Sequence, residues 1–483
     1  MSQDELYRPH YHFSPPANWM NDPNGLVYCD GVYHLFYQYH PGSAMWGPMH
    51  WGHAVSYDLV NWKHLPIALY PDENGMIFSG SAVVDWNNTA GFGERALIAI
   101  FTYSKAHIET QNLAYSTDKG HTWTKYTGNP VIPHDGHLHD FRDPKVFWHE
   151  DHWVMLLAAG DTVLFYISSD LKNWEQSGSF GNGYGSTDGV WETPDLFKLS
   201  VDNSLETWWV LTVSAGNGHV AGGSGSQYFI GHFDGQSFTS EYPKDTVLWA
   251  DFGADYYAPQ SWNDEPNGRC LMIGWMNNWQ YATAIPTSGW RGAFSILREL
   301  SLKRTEEGLR LVQKPIPEIQ SLRNKNYHWQ KEILSPEKNL LANVEGTSLE
   351  ILAEFQIMNN IDRLGFHVRV GDAERTTIGY LAKEKKVFVN RTYSGQSDFH
   401  KGFARVHYAA LHCIDNLLRL HIFVDQCSVE VFANDGLAVI TDCIFPSTES
   451  TKLEIFVEGD KATLNLLDVF QLSPAQYIIE EIL

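Results

Sequence analysis

The chain has 483 residues, 43% of them hydrophobic and only 19% charged, a balance that excludes a mainly disordered protein. Asp and Glu number 57 against 34 Lys and Arg, and the formal charge of −23 has the wrong sign for a surface that tracks nucleic acid or an anionic membrane. No apolar run reaches the roughly 18 residues needed to span a bilayer, and five scattered cysteines without a CxxC pair support neither a zinc ribbon nor a disulfide framework.

The chain begins MSQDELYRPHYHFSPP, with no basic and apolar leader. As written it reads as cytoplasmic, and as secreted if a leader has been removed. From there to about residue 300, aromatic and β-branched runs at 32–39, 96–103, 153–159 and 207–213 end at Gly, Pro, Asn or Asp, the punctuation of short strands. Helical periodicity is scarce.

A motif repeats along this stretch. SYDLVNW at 56–62 recurs as SSDLKNW at 168–174, more loosely as STDKGHTW at 116–123, and in degenerate form as FDGQSF at 233–238. Its aromatic ends stand 51 to 64 residues apart, a spacing that fits four-stranded propeller blades. The Asp is expected to make a turn and the Trp to pack between blades. A second series, Asn21-Asp22-Pro23, Arg142-Asp143-Pro144, Glu192-Thr193-Pro194 and Tyr257-Ala258-Pro259, precedes strand-like runs, and Phe78-Ser79-Gly80-Ser81 supplies a fifth start. Five inner strands then converge on one axial pocket.

Beyond residue 300 the texture changes. Residues 306–338 are charged, read as a linker with one short helix near 316–323, and are followed by clean alternation with an Asn434-Asp435-Gly436 turn. The predicted organisation is all-β: a five-bladed β-propeller over 1–305, the linker, and a C-terminal β-sandwich over 339–483.

Asn-Asp-Pro-Asn-Gly alone is a good turn. Turn chemistry does not explain why an acid recurs in the same slot three times, ahead of Pro23, Pro144 and Pro194, with Arg142 next to the second and Trp191 next to the third. Asp22, Asp143 and Glu192 converging on a channel mouth fit glycoside hydrolysis by a pair of carboxylates. Trp191 and the other acids are expected to raise the proton affinity of Glu192, and Arg142 to keep Asp143 ionised.

These residues also carry a resemblance. WMNDPNG at 19–25, FSGS at 78–81, FRDP at 141–144, WETPDLF at 191–197 and DQCSVEVFANDG at 425–436 resemble the signatures of glycoside hydrolase family 32. The resemblance implies a propeller followed by a sandwich, and retaining hydrolysis of terminal β-fructofuranosyl residues of sucrose, fructo-oligosaccharides or fructans. It implies Asp22 as nucleophile, Glu192 as acid/base and Asp143 as the residue that holds the fructosyl hydroxyls. Asn21, Gln38, Trp46, Phe78, Ser79 and Arg142 match pocket positions, with Trp19 at the edge. Trp275 matches the wall aromatic, with Trp279 as its alternate, and Asp255 is a weaker polar candidate. Thr193 stands where the family usually has Cys, which bears on the proton affinity of Glu192.

No metal and no cofactor are expected; His134, His137 and His139 read as solvated loop residues at the rim. The expected partner is a sugar or fructan, and the sandwich offers a surface for pairing two copies. An intracellular sucrose-6-phosphate hydrolase is the alternative function, and a fructosyltransferase or a non-catalytic sugar-binding propeller are further rivals. A phosphate would need a basic subsite, and none is evident near the motifs.

Overall fold

The computed structural model describes residues 5–134, 136–358 and 360–479. In it each copy of the repeated motif joins the third to the fourth strand of an antiparallel sheet. The Asp58 carboxylate accepts the N–H groups of Val60 and Asn61 at 3.0 and 2.8 Å. Asp170 does the same for Lys172 and Asn173 at 2.9 and 2.8 Å, and Asp118 and Asp234 serve the looser copies. A short carboxylate that replaces backbone acceptors is what lets the chain reverse there. Trp62 is buried against Trp262 at the junction of the first and fifth sheets, as its blade-packing role requires.

The inner strands of the five sheets are Asn18–Cys29, Met76–Asp85, Phe141–His149, Trp191–Ser200 and Tyr257–Ser261. They neighbour one another in a closed ring, the fifth against the first, and so surround a central channel. Every one of them meets its partner strand with a break in register near the channel mouth. Such a bulge turns two consecutive side chains to the same side, which strict alternation forbids. Asp143, Thr193 and Ala258 take up the turn with positive φ of 63°, 47° and 50° at equivalent positions, each just before a proline. Two residues deeper, Lys145 fills the channel and donates to Asp195 at 3.2 Å and to the Ser261 carbonyl at 2.8 Å. The channel is therefore blind.

The stretch expected as a linker is mostly strand. Gly308–Pro315 pairs with Arg298–Thr305 as the outer edge of the fifth sheet, Pro317–Leu322 is a 3-10 helix, and Arg323–Leu334 pairs with Ala462–Leu472. Its charged residues alternate with apolar ones on half-exposed edge strands, and that reads as linker composition when the pairing partner is far away in sequence. Beyond it two sheets of six and five strands enclose an apolar core that includes Ile351, Phe355, Phe366 and Ile422.

The two halves meet through buried charge. Arg298 donates to Asp251 at 3.0 Å, to Glu430 at 2.9 Å and to Thr441 Oγ1 at 2.7 Å, and is fully buried. Gly253 passes so close to the sandwich that a Cβ there would lie 2.1 Å from the Thr441 carbonyl. The motif at 425–436 is this docking face. Asp425 and Glu430 hold His12 from both sides, at 2.8 Å from Nδ1 and 2.9 Å from Nε2. Burial opposes the charge on His12, but the two carboxylates outweigh it and raise its pKa to about 9.

A group raised in this way stabilises the fold fully below its unfolded value near 6.5 and loses that contribution as pH climbs through about 9. We expect Tm to fall across this alkaline window, and the slope to flatten in His12→Gln. An unchanged slope in the variant would contradict the assignment.

Candidate active site

Asp22 and Asp143 occupy the slot just before the proline of their inner strands. Glu192 sits one residue earlier, in the slot filled by Asn21, Arg142 and Tyr257 in other blades. The expectation of three acids in one slot is thus corrected to two adjacent slots, and the bulges bring both to the channel. The cavity there has a volume of about 760 Å³, within the range of small-ligand sites.

The ring of neighbours is specific. Arg142 donates from Nε and Nη2 to Glu192 Oε1 at 3.2 and 3.1 Å. Tyr257 Oη, from the next blade round, donates to Glu192 Oε2. Arg142 also reaches Asp140 at 2.8 Å and Glu109 at 3.3 Å. Its direct partners are therefore Glu192, Asp140 and Glu109 rather than Asp143. Asp143 instead accepts the Thr193 N–H at 2.9 Å. Burial pushes Asp143 well above the usual carboxylate range, Arg142 only partly opposes this, and the charges of Glu192 and Asp22 add to it.

Asp22 is buried with one oxygen, Oδ2, accepting from Ser79 at 3.3 Å. Its Oδ1 has no partner among the described residues. Burial first, and then the charge of Glu192, raise its pKa to about 7, while the side chains of Asn21 and Ser79 pull the other way. A buried oxygen left without a donor calls for an explanation, and a reacting atom placed beside it supplies one.

Of the residues expected at the pocket, Asn21, Gln38, Trp46, Phe78, Ser79 and Arg142 line the cavity. Trp46 is 42% exposed at the mouth, edge-on to Phe78. Four expectations change. Trp191 points to the opposite face, buried against Phe229, because Trp191 and Glu192 alternate across the strand before its bulge. Trp275 is fully buried behind the wall, and Trp279 takes the lining position, held by its N–H to Ser224 Oγ at 3.0 Å. Trp19 is also fully buried; it donates to Asn21 Oδ1 at 2.7 Å and stacks on Trp279, supporting the pocket from behind. Asp255 lies outside the cavity. It accepts from Tyr281 Oη at 2.7 Å and from the Cys443 N–H at 2.8 Å, and pairs with Arg391 in the sandwich.

Two residues escaped the sequence reading. Tyr257 stands in the same slot as Glu192, so alignment of the blade starts would have found it. Glu109, on the third strand of the second blade, Ile108–Ser116, carries no motif. Burial raises its pKa, with Arg142 opposing and Asp140 adding to the rise. His139 lines the mouth.

Comparison with known proteins gives the family. The model of the glycosyl hydrolases family 32 N-terminal domain matches residues 12–315, and that of the family 32 C-terminal domain matches residues 318–471. A levanase of Bacillus subtilis (strain 168) is 52% identical over 480 residues, spanning 97% of this chain and 71% of its own. The crystal structure of exo-inulinase from Aspergillus awamori superposes with a TM-score of 0.91 at 36% identity, covering 98% of this chain and all of that one. A fructofuranosidase from Schwanniomyces occidentalis complexed with fructosylnystose gives a TM-score of 0.89 at 31% identity, covering 97% and 98%.

Proposed function

The chain belongs to glycosyl hydrolase family 32, and from that footing we propose that it is a retaining exo-β-fructosidase with Asp22 as nucleophile and Glu192 as acid/base. The observation that carries the reading is the unpartnered Asp22 Oδ1, buried in a blind pocket that also holds Glu192.

A blind pocket admits the end of a chain and not its middle, which is exo action. Glu192 gives its proton to the glycosidic oxygen as the bond from that oxygen to the anomeric carbon breaks, and Asp22 Oδ1 bonds to the carbon. Water then attacks the same carbon and yields its proton to Glu192, and the ester to Asp22 breaks, releasing fructose. Asp143 accepts hydrogen bonds from fructosyl hydroxyls, while Arg142 and Tyr257 aim Glu192. Trp46 and Trp279 offer apolar walls to the ring.

The preferred substrates under this reading are fructans and sucrose without phosphate. Arg142 is the one Arg or Lys among the described lining residues, and three carboxylates already engage it. Fresh hydrolysis of sucrose followed by proton NMR should show β-fructofuranose first, with mutarotation later. An α-anomer at the earliest times would overturn the double displacement. Sucrose 6-phosphate should be the poorest of a panel with sucrose, inulin and levan.

A further inference from the structure

A second groove lies on the same face of the propeller as the pocket. Three segments of the fourth blade build it: 185–188, leading into the strand of Glu192, 218–220, and 247–249. All three stand at the pocket end of the blade, because the inner strand starts there, the second strand, Thr207–Ala215, ends there, and Leu248–Trp249 pairs with the first part of the third, Gly225–Phe233. The volume is about 420 Å³.

Its walls are arranged for a neutral, hydroxyl-rich ligand. Trp249 is half-buried with its ring set edge-on to His219, 4.6 Å between centroids. Val220 and Val247 beside it are 61% and 38% exposed. Opposite stand Ser186, Thr187 and Asp188, whose side chains make no hydrogen bond among the described residues. No Lys or Arg side chain lines the groove among the described residues, which disfavours an anion. An aromatic face next to a free carboxylate and two hydroxyls suits the apolar face and vicinal hydroxyls of a sugar.

The groove is also rigid. Buried Gln227 accepts the Ser186 N–H and donates to the Ser186 carbonyl, both at 2.8 Å, and Trp191 Nε1 donates to that carbonyl at 2.9 Å. Gly218 lets the backbone close in, for a Cβ there would lie 2.7 Å from Asp188 Cβ. A preformed loop loses little freedom on binding. The third strand of a blade lies two spacings, about 10 Å, outward from the inner strand. A fructan whose end occupies the pocket runs outward by that distance within a few units.

We propose that this groove is a second sugar-binding site, taking internal fructosyl units of the fructan whose end is cleaved at Asp22 and Glu192. The proposal rests on the exo-β-fructosidase reading. The test compares Trp249→Ala and Asp188→Asn with the native enzyme on sucrose, short fructo-oligosaccharides of increasing length, inulin and levan. Sucrose kinetics should stay within about twofold, while kcat/KM on levan or inulin falls about five- to tenfold through KM, and the native gain in kcat/KM with chain length should flatten. Equal losses on sucrose and fructan, or unchanged fructan kinetics in Asp188→Asn, would overturn it. Native enzyme inert on every β-fructoside would instead sink the reading of the pocket.

Discussion

An enzyme with Asn in place of Asp22 is expected to turn over sucrose on the order of 10⁴-fold more slowly, and Glu192→Gln on the order of 10³-fold more slowly. The amide at 22 cannot form the fructosyl ester, and the amide at 192 has no proton to give the leaving oxygen. In Asp22→Asn the amide oxygen can still accept from Ser79, and in Glu192→Gln it can accept from Arg142 while the amide nitrogen donates to the Tyr257 hydroxyl, so the fold should persist. The Asp22→Asn variant carries a second expected result. The native carboxyl has a folded pKa near 7 against an unfolded value of 3.8. It is a raised acid, so folding binds an extra proton between those values, and stability falls as pH rises through about 7. The neutral amide escapes this. Asp22→Asn should therefore be more stable than the native protein at pH 8, by up to about 4 kcal/mol, with the gap closing toward pH 4. Urea unfolding at the two pH values reads it. A variant that is equally inactive but less stable at pH 8 would show that Asp22 serves the fold instead of straining it.

The second large effect lies far from the chemistry. Arg391 is a fully buried sandwich residue that pairs with Asp255, donates to Tyr281 Oη at 2.9 Å and to the Cys443 carbonyl at 3.1 Å, and lies 3.7 Å from Asp442. Both propeller partners continue into the pocket: Tyr257 is two residues past Asp255, and Trp279 is two residues before Tyr281. Removing the guanidinium leaves Asp255 buried with its cation gone and Asp442 with His407 as its remaining basic neighbour, and for a buried pair such a loss costs about 3–5 kcal/mol. Arg391→Ala should lower unfolding stability by that order and raise KM for sucrose as the segment carrying Trp279 loosens. Arg391→Lys should recover part of the stability. A loss below about 1 kcal/mol in the Ala variant would mean that the clamp is not what joins the halves.

How far the site could be read from the chain varied residue by residue. Asp22, Asp143 and Glu192 announce themselves because each lies in a local pattern of proline, turn and strand, and such patterns are written in contiguous residues. Arg142 was recognised as a pocket residue, yet its partners were misjudged. Adjacency in sequence suggested Asp143, whereas the ring of blades sets it against Glu192 and Glu109, 50 and 33 positions away. Trp275 and Trp279 could not be ranked from their four-residue spacing, because the choice depends on which ring the Ser224 loop supports. Glu109 was invisible, an acid in an ordinary strand whose meaning comes from the arginine opposite.

The same division runs through the whole protein. Its sequence by itself determined the β-class, the turn in every Ser-x-Asp repeat and the five strand starts, since these depend on φ, on proline and on short-range hydrogen bonds. The −23 charge excluded phosphate-rich partners without naming a sugar. Only the tertiary structure decided which carboxylate faces which cation, that the supposed linker is an outer blade strand and a sandwich strand, and that Asp255 and the 425–436 motif bind one half to the other. Those features depend on ring closure and domain docking, which bring residues tens to hundreds of positions apart within hydrogen-bond reach and strip them of water, and no local pattern encodes that.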